Sequence, residues 1–189
     1  MKKDLKIIVA ACDNNGIGNK GDLPWNLKGD MKYFREITTR LDEEDKKVGK
    51  SNVVIMGRKT WESIPIKFRP LASRINFVLS SQADYGKNLP PQVYHATDLD
   101  QAFRMLEEDD TLKTKVASIF VIGGSSLYAT ALLSPRCETI YFTKIEAPFD
   151  CDTFFPSIPA SFKRISSHEN QETGISYSFE IYKREPGSA

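Results

Sequence analysis

The chain begins its apolar patterning at Leu5 to Cys12 (LKIIVAAC), a nearly continuous run, β-branched at its centre and closed by Asp13-Asn14-Asn15-Gly16. A short run of this kind, bounded by turn residues, predicts a strand covered on both faces. The pattern returns at Asn52 to Met56 (NVVIM), Ile75 to Leu79 (INFVL) and Ile119 to Ile122 (IFVI), and less strongly at Val93 to His95, Thr139 to Ile145 and Phe162 to Ser166. Tyr177 to Tyr182 alternates Tyr, Phe and Ile with Ser, Glu and Tyr, which predicts an antiparallel closing strand. Other segments have helical spacing. Residues 27 to 41 repeat Met31, Phe34, Ile37 or Thr38, and Leu41, and Leu99 to Glu107 sets Leu99, Ala102, Phe103 and Leu106 on one side. Shorter helices are predicted at Thr60 to Ser63 and Ser125 to Leu132. Asn15 to Pro24, punctuated by Gly16, Gly18 and Gly21, and the charged stretch Asp42 to Lys50 read as loops.

Buried strands alternating with helices imply right-handed crossovers, and hence an α/β fold with a mainly parallel sheet and helices on both faces. The late strands, which lack helices between them, add an antiparallel edge and make the sheet mixed. No linker or repeat divides the chain. One domain over residues 1–189 is expected, with Glu185 to Ala189 a tail of disordered or foreign composition.

Composition narrows the function. A chain of 189 residues can bury ~70% of the surface its unfolded form exposes. Its 40% hydrophobic and 27% charged residues fit a globular protein rather than a disordered one. Lys+Arg number 26 and Asp+Glu 25, and that balance argues against nucleic acid or an anionic membrane as the main partner. No apolar run is long enough to span a membrane, and Met1-Lys2-Lys3-Asp4 leads straight into a strand without a secretory cleavage site. Cys12, Cys137 and Cys151 are few and widely spaced, which predicts no disulfide scaffold and a reducing compartment. His95 and His168 lie far from any cysteine pair, so no metal site is expected.

Two strand-to-helix turns carry candidate chemistry. In VVIMGRKTW a strand ends at Gly57 and Arg58, Lys59 and Thr60 open a helix. In IFVIGGSSLY, Gly123-Gly124 ends a strand and Ser125-Ser126 opens another. Unpaired N–H groups at a helix start attract anions, and glycine lets a phosphate approach the backbone. Each turn alone is ordinary turn and cap chemistry. Two on neighbouring strands of one sheet point to a ligand with several phosphates bound at the carboxyl ends of the strands. Neither turn is a G-x-G-x-x-G or a Walker loop. Asp30 lies at the start of an apolar helix face, where it either complements the helix dipole or serves as a single desolvated acid that grips a cationic or amidine-like heterocycle. No second acid, histidine or cysteine pairs with it, which disfavours two-carboxylate or triad hydrolysis. Arg74 is either surface charge or a fork for a substrate carboxylate, and Trp25 either a packing anchor or part of a lid.

IVAACDNNGIGNKGDLPWNL, VVIMGRKTWESIP, PLASRINFVLSS, VIGGSSLY and DTFFP, in this order and spacing, resemble the dihydrofolate reductase family, with insertions like those of its eukaryotic branch. The resemblance runs from about Leu5 to Tyr182. It implies an eight-stranded, mostly parallel sheet and hydride transfer from NADPH to C6 of 7,8-dihydrofolate, with protonation of N5, giving tetrahydrofolate. Asp30 matches the single active-site carboxylate, which hydrogen-bonds the pteridine ring while the N5 proton arrives through water, and Thr143 would orient it. Ile8, Met31, Phe34, Ile64, Leu71 and Ile122 would line the folate pocket, Arg74 would hold the α-carboxylate of the glutamate tail, and Arg35 would lie near its outer end. Leu23 and Trp25 would belong to a mobile active-site loop anchored by Asp22.

On the cofactor side, Ala10, Ile17 and Gly18 would contact the nicotinamide, with Gly21 in the same loop. Gly57, Arg58, Lys59, Thr60, Leu79, Ser125, Ser126, Leu127 and Tyr128 would surround the phosphates and ribose. Ser80 and Ser81 would join Arg58 on the 2′-phosphate. Gly123 and Gly124 match a pair joined by a cis peptide. The sequence departs from many eukaryotic members at Asp30, where vertebrates usually carry Glu, at Met31, where an aromatic is frequent, and at Ser81, where an arginine is frequent. The resemblance further implies antifolate inhibitors as ligands, and a cytoplasmic monomer with no membrane or nucleic-acid partner. A reductase of ribosylated pyrimidines shares the architecture but lacks the Asp30 and Arg74 pair, and a non-catalytic nucleotide-binding module would leave both residues unexplained.

Overall fold

A computed structural model describes residues 3–187. Met1 and Lys2 of the amino-terminal segment, and Ser188 and Ala189 of the expected tail, lie outside the described residues. Along the chain come β1 (Leu5–Ala11), β2 (Gly16–Gly18), α1 (Lys28–Thr39), α2 (Glu43–Lys47), β3 (Ser51–Gly57), α3 (Arg58–Ser63), β4 (Arg74–Leu79) and β5 (Val93–Ala96). There follow α4 (Leu99–Glu108), α5 (Asp110–Lys115), β6 (Val116–Val121), α6 (Ser125–Leu133), β7 (Cys137–Ile145), β8 (Thr153–Phe154), β9 (Phe162–Glu172) and β10 (Ile175–Arg184).

Eight strands form one sheet in the order β5-β4-β3-β6-β1-β7-β10-β9. The pairings from β5 through to β7 are parallel, and β10 is antiparallel to both β7 and β9. The expected mixed sheet with a reversed carboxyl-terminal strand is therefore what forms. Register aligns the carboxyl ends of the central strands: Ile7 of β1 and Ile55 of β3 both pair with Val121 of β6.

Alternation along these strands builds two apolar layers. Ile7, Val53, Ile55 and Val121 face one way, onto Leu99, Ala102, Phe103 and Leu106 of α4, Leu112 of α5 and Leu127 and Ala131 of α6. Ile8, Val54, Met56 and Phe120 face the other way, onto Trp61 of α3, with Phe34 and Ile37 of α1 only partly buried against them. The first layer is sealed and the second stays open, which is why a cleft exists on that side. The stripe of α1 shows this directly. Its fully buried residues are the polar Asp30 and Thr38, while Met31 is 52% exposed.

Three local expectations need correction, and one helix, α5, had no sequence signal. Asp42 to Lys50 is not all loop: Asp42 caps α2 by accepting from the Asp45 N–H (2.7 Å), and acids at its start and lysines at its end suit the helix dipole. α5 is polar enough to lack a stripe, yet Asp109 caps it through the N–H groups of Thr111 and Leu112. The glycine loop carries β2, which pairs with β8 as a separate two-stranded sheet too short for any periodicity to announce. β9 runs well past Ser166 as a mostly exposed edge strand held by its ladder to β10. At the tail, Glu185 still donates its N–H to Ser161 O (2.8 Å).

Candidate active site

A cleft of about 2560 Å³ opens at the carboxyl ends of β1, β3 and β6, between α1, α3 and α6. Small-molecule pockets commonly measure ~300–1,000 Å³, so this one has room for two ligands side by side.

At its centre lies Asp30. The α1 helix starts at Leu27, which offers no side-chain cap. The cap comes from a distant acid instead: Glu172, the last residue of β9, accepts from the N–H groups of Lys28 and Gly29, both at 2.8 Å. A β-carbon at Gly29 would collide with Tyr177 Oη, so a larger residue in this first turn would have to displace that ring. Asp30 follows at once, 6% exposed. Burial lifts its carboxyl from the ordinary value to about 6, and nearby Glu172 adds to the rise. A hydrogen bond from Thr143 opposes it. The indole N–H of Trp25, which makes no closer hydrogen bond among the described residues, adds a weaker pull in the same direction. Thr143 is itself buried on β7, in register with Ala10 of β1. Ile8 beside it presents its carbonyl to the buried Tyr128 hydroxyl (2.9 Å).

The two strand-to-helix turns meet. Gly57 donates its N–H to Gly123 O (2.8 Å), and the Gly123–Gly124 peptide is cis. Gly123 has φ of +127°, and a β-carbon there would stand 3.4 Å from both Thr60 Oγ1 and Tyr128 Oη. The glycines therefore leave backbone bare beside the Thr60 hydroxyl, and neither α3 nor α6 has a side-chain cap on its first N–H groups. Along this rim Arg58 pairs with Glu62 (3.0 Å), whose carboxylate also accepts from the Tyr85 hydroxyl (3.0 Å). Ser80 is buried at the end of β4, while Ser81 is exposed beyond it. The Ser125 hydroxyl is engaged by Phe154 O.

At the other end, Arg74 is held by hydrogen bonds from Nε to Ala72 O (3.0 Å) and from Nη1 to Thr38 Oγ1 (2.8 Å), with the Phe34 ring 5.8 Å away. Burial, and then the charge of Arg35, lower its pKa to about 10. No carboxylate pairs with it among the described residues. Two guanidinium groups thus share this cleft end, while the nearby Glu36 carboxylate pairs with Lys32 (3.8 Å).

Every residue named from the sequence lines this cleft except two. Trp25 is 6% exposed and packs edge-on against Phe149, so its loop is pinned there, while Leu23 is 50% exposed. Leu127 is turned by helical phase into the sealed layer with α4, and its side chain does not face the cleft. The cleft also takes in Ser63, Pro65, Lys67 and Phe68, beyond α3, and Asp152 and Thr153 near β8. Ser63, Pro65, Asp152 and Thr153 lie within segments that carry the resemblance without being singled out, and Lys67 and Phe68 had only loop composition to mark them. Glu172 was likewise missed, since no local pattern ties a strand-end acid to a helix 144 residues earlier. Among the described residues no group of three or more His, Cys, Asp or Glu is placed to hold a metal ion, and no helix is long and apolar enough to cross a membrane.

The sequence profile described as "Dihydrofolate reductase" matches residues 4–184. The chain is similar to the dihydrofolate reductase of Heliothis virescens, 43% identical over 187 residues that cover 95% of this chain and 97% of the relative. It is similar to that of Drosophila melanogaster at 41% over 186 residues, again 95% and 97%. The dihydrofolate reductase of Rattus norvegicus is 42% identical over 194 residues, 97% of this chain and 99% of the relative. With a phosphate-ready pair of turns at one end of the cleft, paired arginines at the other and a lone buried acid between them, the chain belongs to the dihydrofolate reductase family, oxidoreductases that reduce dihydrofolate to tetrahydrofolate.

Proposed function

We propose that NADPH is the reductant for this family reaction and that Asp30 is the residue on which the chemistry turns. A cofactor with a pyrophosphate fits the bare backbone at Gly57 and at Gly123-Gly124 and the hydroxyl of Thr60 beside them. Arg58, Lys59, Ser80 and Ser81 supply charge and hydroxyls for the adenosine end and its 2′-phosphate. Ala10, Ile17 and Gly18 border the space for the nicotinamide. When bound, NADPH supplies a hydride to C6 of the pterin.

The remaining work falls to this chain's own side chains. Asp30, dry and held by Thr143, accepts hydrogen bonds from the amidine-like edge of the pterin, which fixes the ring and favours a proton at N5. That proton arrives through water, since the carboxyl grips the opposite edge. Ile8, Met31, Phe34, Ile64, Leu71 and Ile122 exclude solvent around the ring system. Arg74, with Arg35 outside it, takes the α-carboxylate of the glutamate tail. Alignment of two rings in one cleft can contribute ~7–11 kcal/mol toward the barrier. The protein is expected to act as a monomer in the cytoplasm and to bind antifolates that present a protonated heterocycle to Asp30.

The burial of Asp30 carries this reading. Following the absorbance of reduced nicotinamide in the presence of dihydrofolate tests it. The wild-type protein is expected to turn over with NADPH, and Asp30→Asn to lose several powers of ten in rate at neutral pH while still binding NADPH. Near-normal turnover by that variant would remove Asp30 from the mechanism.

A further inference from the structure

Two thiols meet outside the chemistry described above. Cys12, the first residue after β1, is 3% exposed, and Cys151, on the approach to β8, is half-buried. Their Sγ atoms lie 3.7 Å apart although 139 positions separate them in the chain. The surroundings bring them together. The Cys12 thiol donates to Asn14 Oδ1 (3.2 Å), which also accepts from the Gly16 N–H (3.1 Å). A β-carbon at Gly16 would collide with Cys151 Sγ, so the absence of a side chain there is what lets the second sulfur reach the first. Cys137, by contrast, is fully buried in the main core, and burial pushes its thiol up to about 12.

The contact sits at the root of the loop that lines the cleft with Ile17, Gly18, Gly21 and Leu23. That loop is already tied to the segment around β8. Asp152 donates its N–H to Gly18 O (3.0 Å), the Lys20 N–H reaches Asp152 Oδ2 (2.8 Å), and the Phe155 N–H reaches Asn15 O (2.8 Å). All of these ties are non-covalent hydrogen bonds.

We propose that Cys12 and Cys151 form a reversible oxidation site, at which hydrogen peroxide converts the two thiols to a disulfide that fastens the cleft-lining loop to the β8 segment and slows turnover. Cys151, the more accessible sulfur, attacks the peroxide. The O–O bond breaks, one water leaves, and Cys151 becomes a sulfenic acid. The Cys12 sulfur then attacks the Cys151 sulfur, the S–O bond breaks, and a second water carries away the remaining thiol proton. One peroxide is reduced to two waters while two thiols lose two electrons. The sulfurs have to close from 3.7 Å to ~2.05 Å, a small movement for two side chains already in contact. Burial and the adjacent Cys12 both raise the Cys151 thiol, so the reaction is slow at neutral pH and speeds up as pH rises.

The test treats the whole protein with hydrogen peroxide, digests it without reductant and weighs the peptides. Turnover is assayed on the same samples before and after dithiothreitol. Expected are a Cys12–Cys151 peptide pair lighter by two hydrogens, an unmodified Cys137, and turnover that falls at least threefold and recovers on reduction. Cys12→Ser should stop at a Cys151 sulfenic acid that dimedone traps, Cys151→Ser should not react, and both should keep full activity through the treatment. A wild-type Cys151 oxidised singly, or linked only between molecules, overturns the site. A linked pair with unchanged turnover overturns the clamp. The mass measurement does not depend on the reductase reading, so a failure of that reading appears separately, as absent turnover in the reduced protein.

Discussion

In the proposed mechanism a single carboxyl, Asp30, has both to fold and to react, and the two demands oppose each other. Its pKa in the folded protein is about 6 against 3.8 in an open chain. Between those values the folded state holds a proton that the unfolded state has released. Its contribution to stability is therefore complete below about pH 4 and is lost as pH rises through about 6. Chemical denaturation should show Asp30→Asn more stable than wild type at pH 7.5, by up to ~3 kcal/mol, with the two converging near pH 4. Equal stabilities at pH 7.5 would mean that the carboxylate is better solvated than its burial implies. The reaction as proposed also needs a proton at N5 while Asp30 is ionised against the pterin, so turnover should decline as pH climbs past the midpoint of that Asp30–pterin pair. Arg74 gives a second residue-scale prediction. A charge-assisted contact is worth ~1.5–3 kcal/mol, so Arg74→Ala should raise KM for dihydrofolate ~10- to 100-fold. A pterin without the glutamate tail should be affected far less, and equal losses for both compounds would place the tail elsewhere.

Elements decide how well these side chains are aimed. The first turn of α1 is capped by Glu172 from across the fold, and that carboxylate is held below its ordinary pKa by the Gly29 and Lys28 N–H groups. Glu172→Ala should speed hydrogen exchange at both amides and move the alkaline decline of turnover to lower pH, since a negative charge near Asp30 is removed. Glu172→Gln, which keeps one acceptor and loses the charge, should share the pH shift with less change in exchange. An unmoved pH profile in both would reduce Glu172 to a cap. Helix α3 offers a different lesson, because its Glu62 already occupies the guanidinium of Arg58 at 3.0 Å. If Arg58 holds the cofactor 2′-phosphate as proposed, that group competes with this half-exposed pair, and Glu62→Gln should raise the preference for NADPH over NADH ~2- to 5-fold in kcat/KM. These elements also show where the sequence was legible. The strand Leu5–Ala11 and the turns at Gly57 and Gly123 announce themselves through apolar runs that end in glycine. The Glu172 cap and the β2–β8 pairing depend on partners more than 130 residues away, and no local period records them. The resemblance implies Leu127 and Trp25 at the site; helix phase turns Leu127 into the main core, while Trp25 packs on Phe149 with its indole N–H still acting on Asp30.

For the whole molecule, the asymmetry of the two apolar layers matters most. The layer under α4 and α6 is sealed and supplies the main core, whereas the layer under α1 and α3 leaves Met31, Phe68 and Leu23 more than 40% exposed around a cleft of about 2560 Å³. The alternation Ile7/Ile8 and Val53/Val54 could be read from the sequence, but not which layer would stay open, because that depends on α1 packing at its edge rather than across the sheet. An open layer leaves apolar surface that ligands bury, so binding should add to stability. At a hundred times its Kd a ligand contributes ~2.7 kcal/mol, and for a chain of this length that is ~5–10 °C in melting temperature. NADPH alone and an antifolate alone should each give a shift of that size. If the cleft holds them side by side, as proposed, the two together should shift the midpoint by at least the sum. A combined shift no larger than the greater single one would show that they compete for the same space, and the division of the cleft into a phosphate end and a carboxylate end would then be wrong.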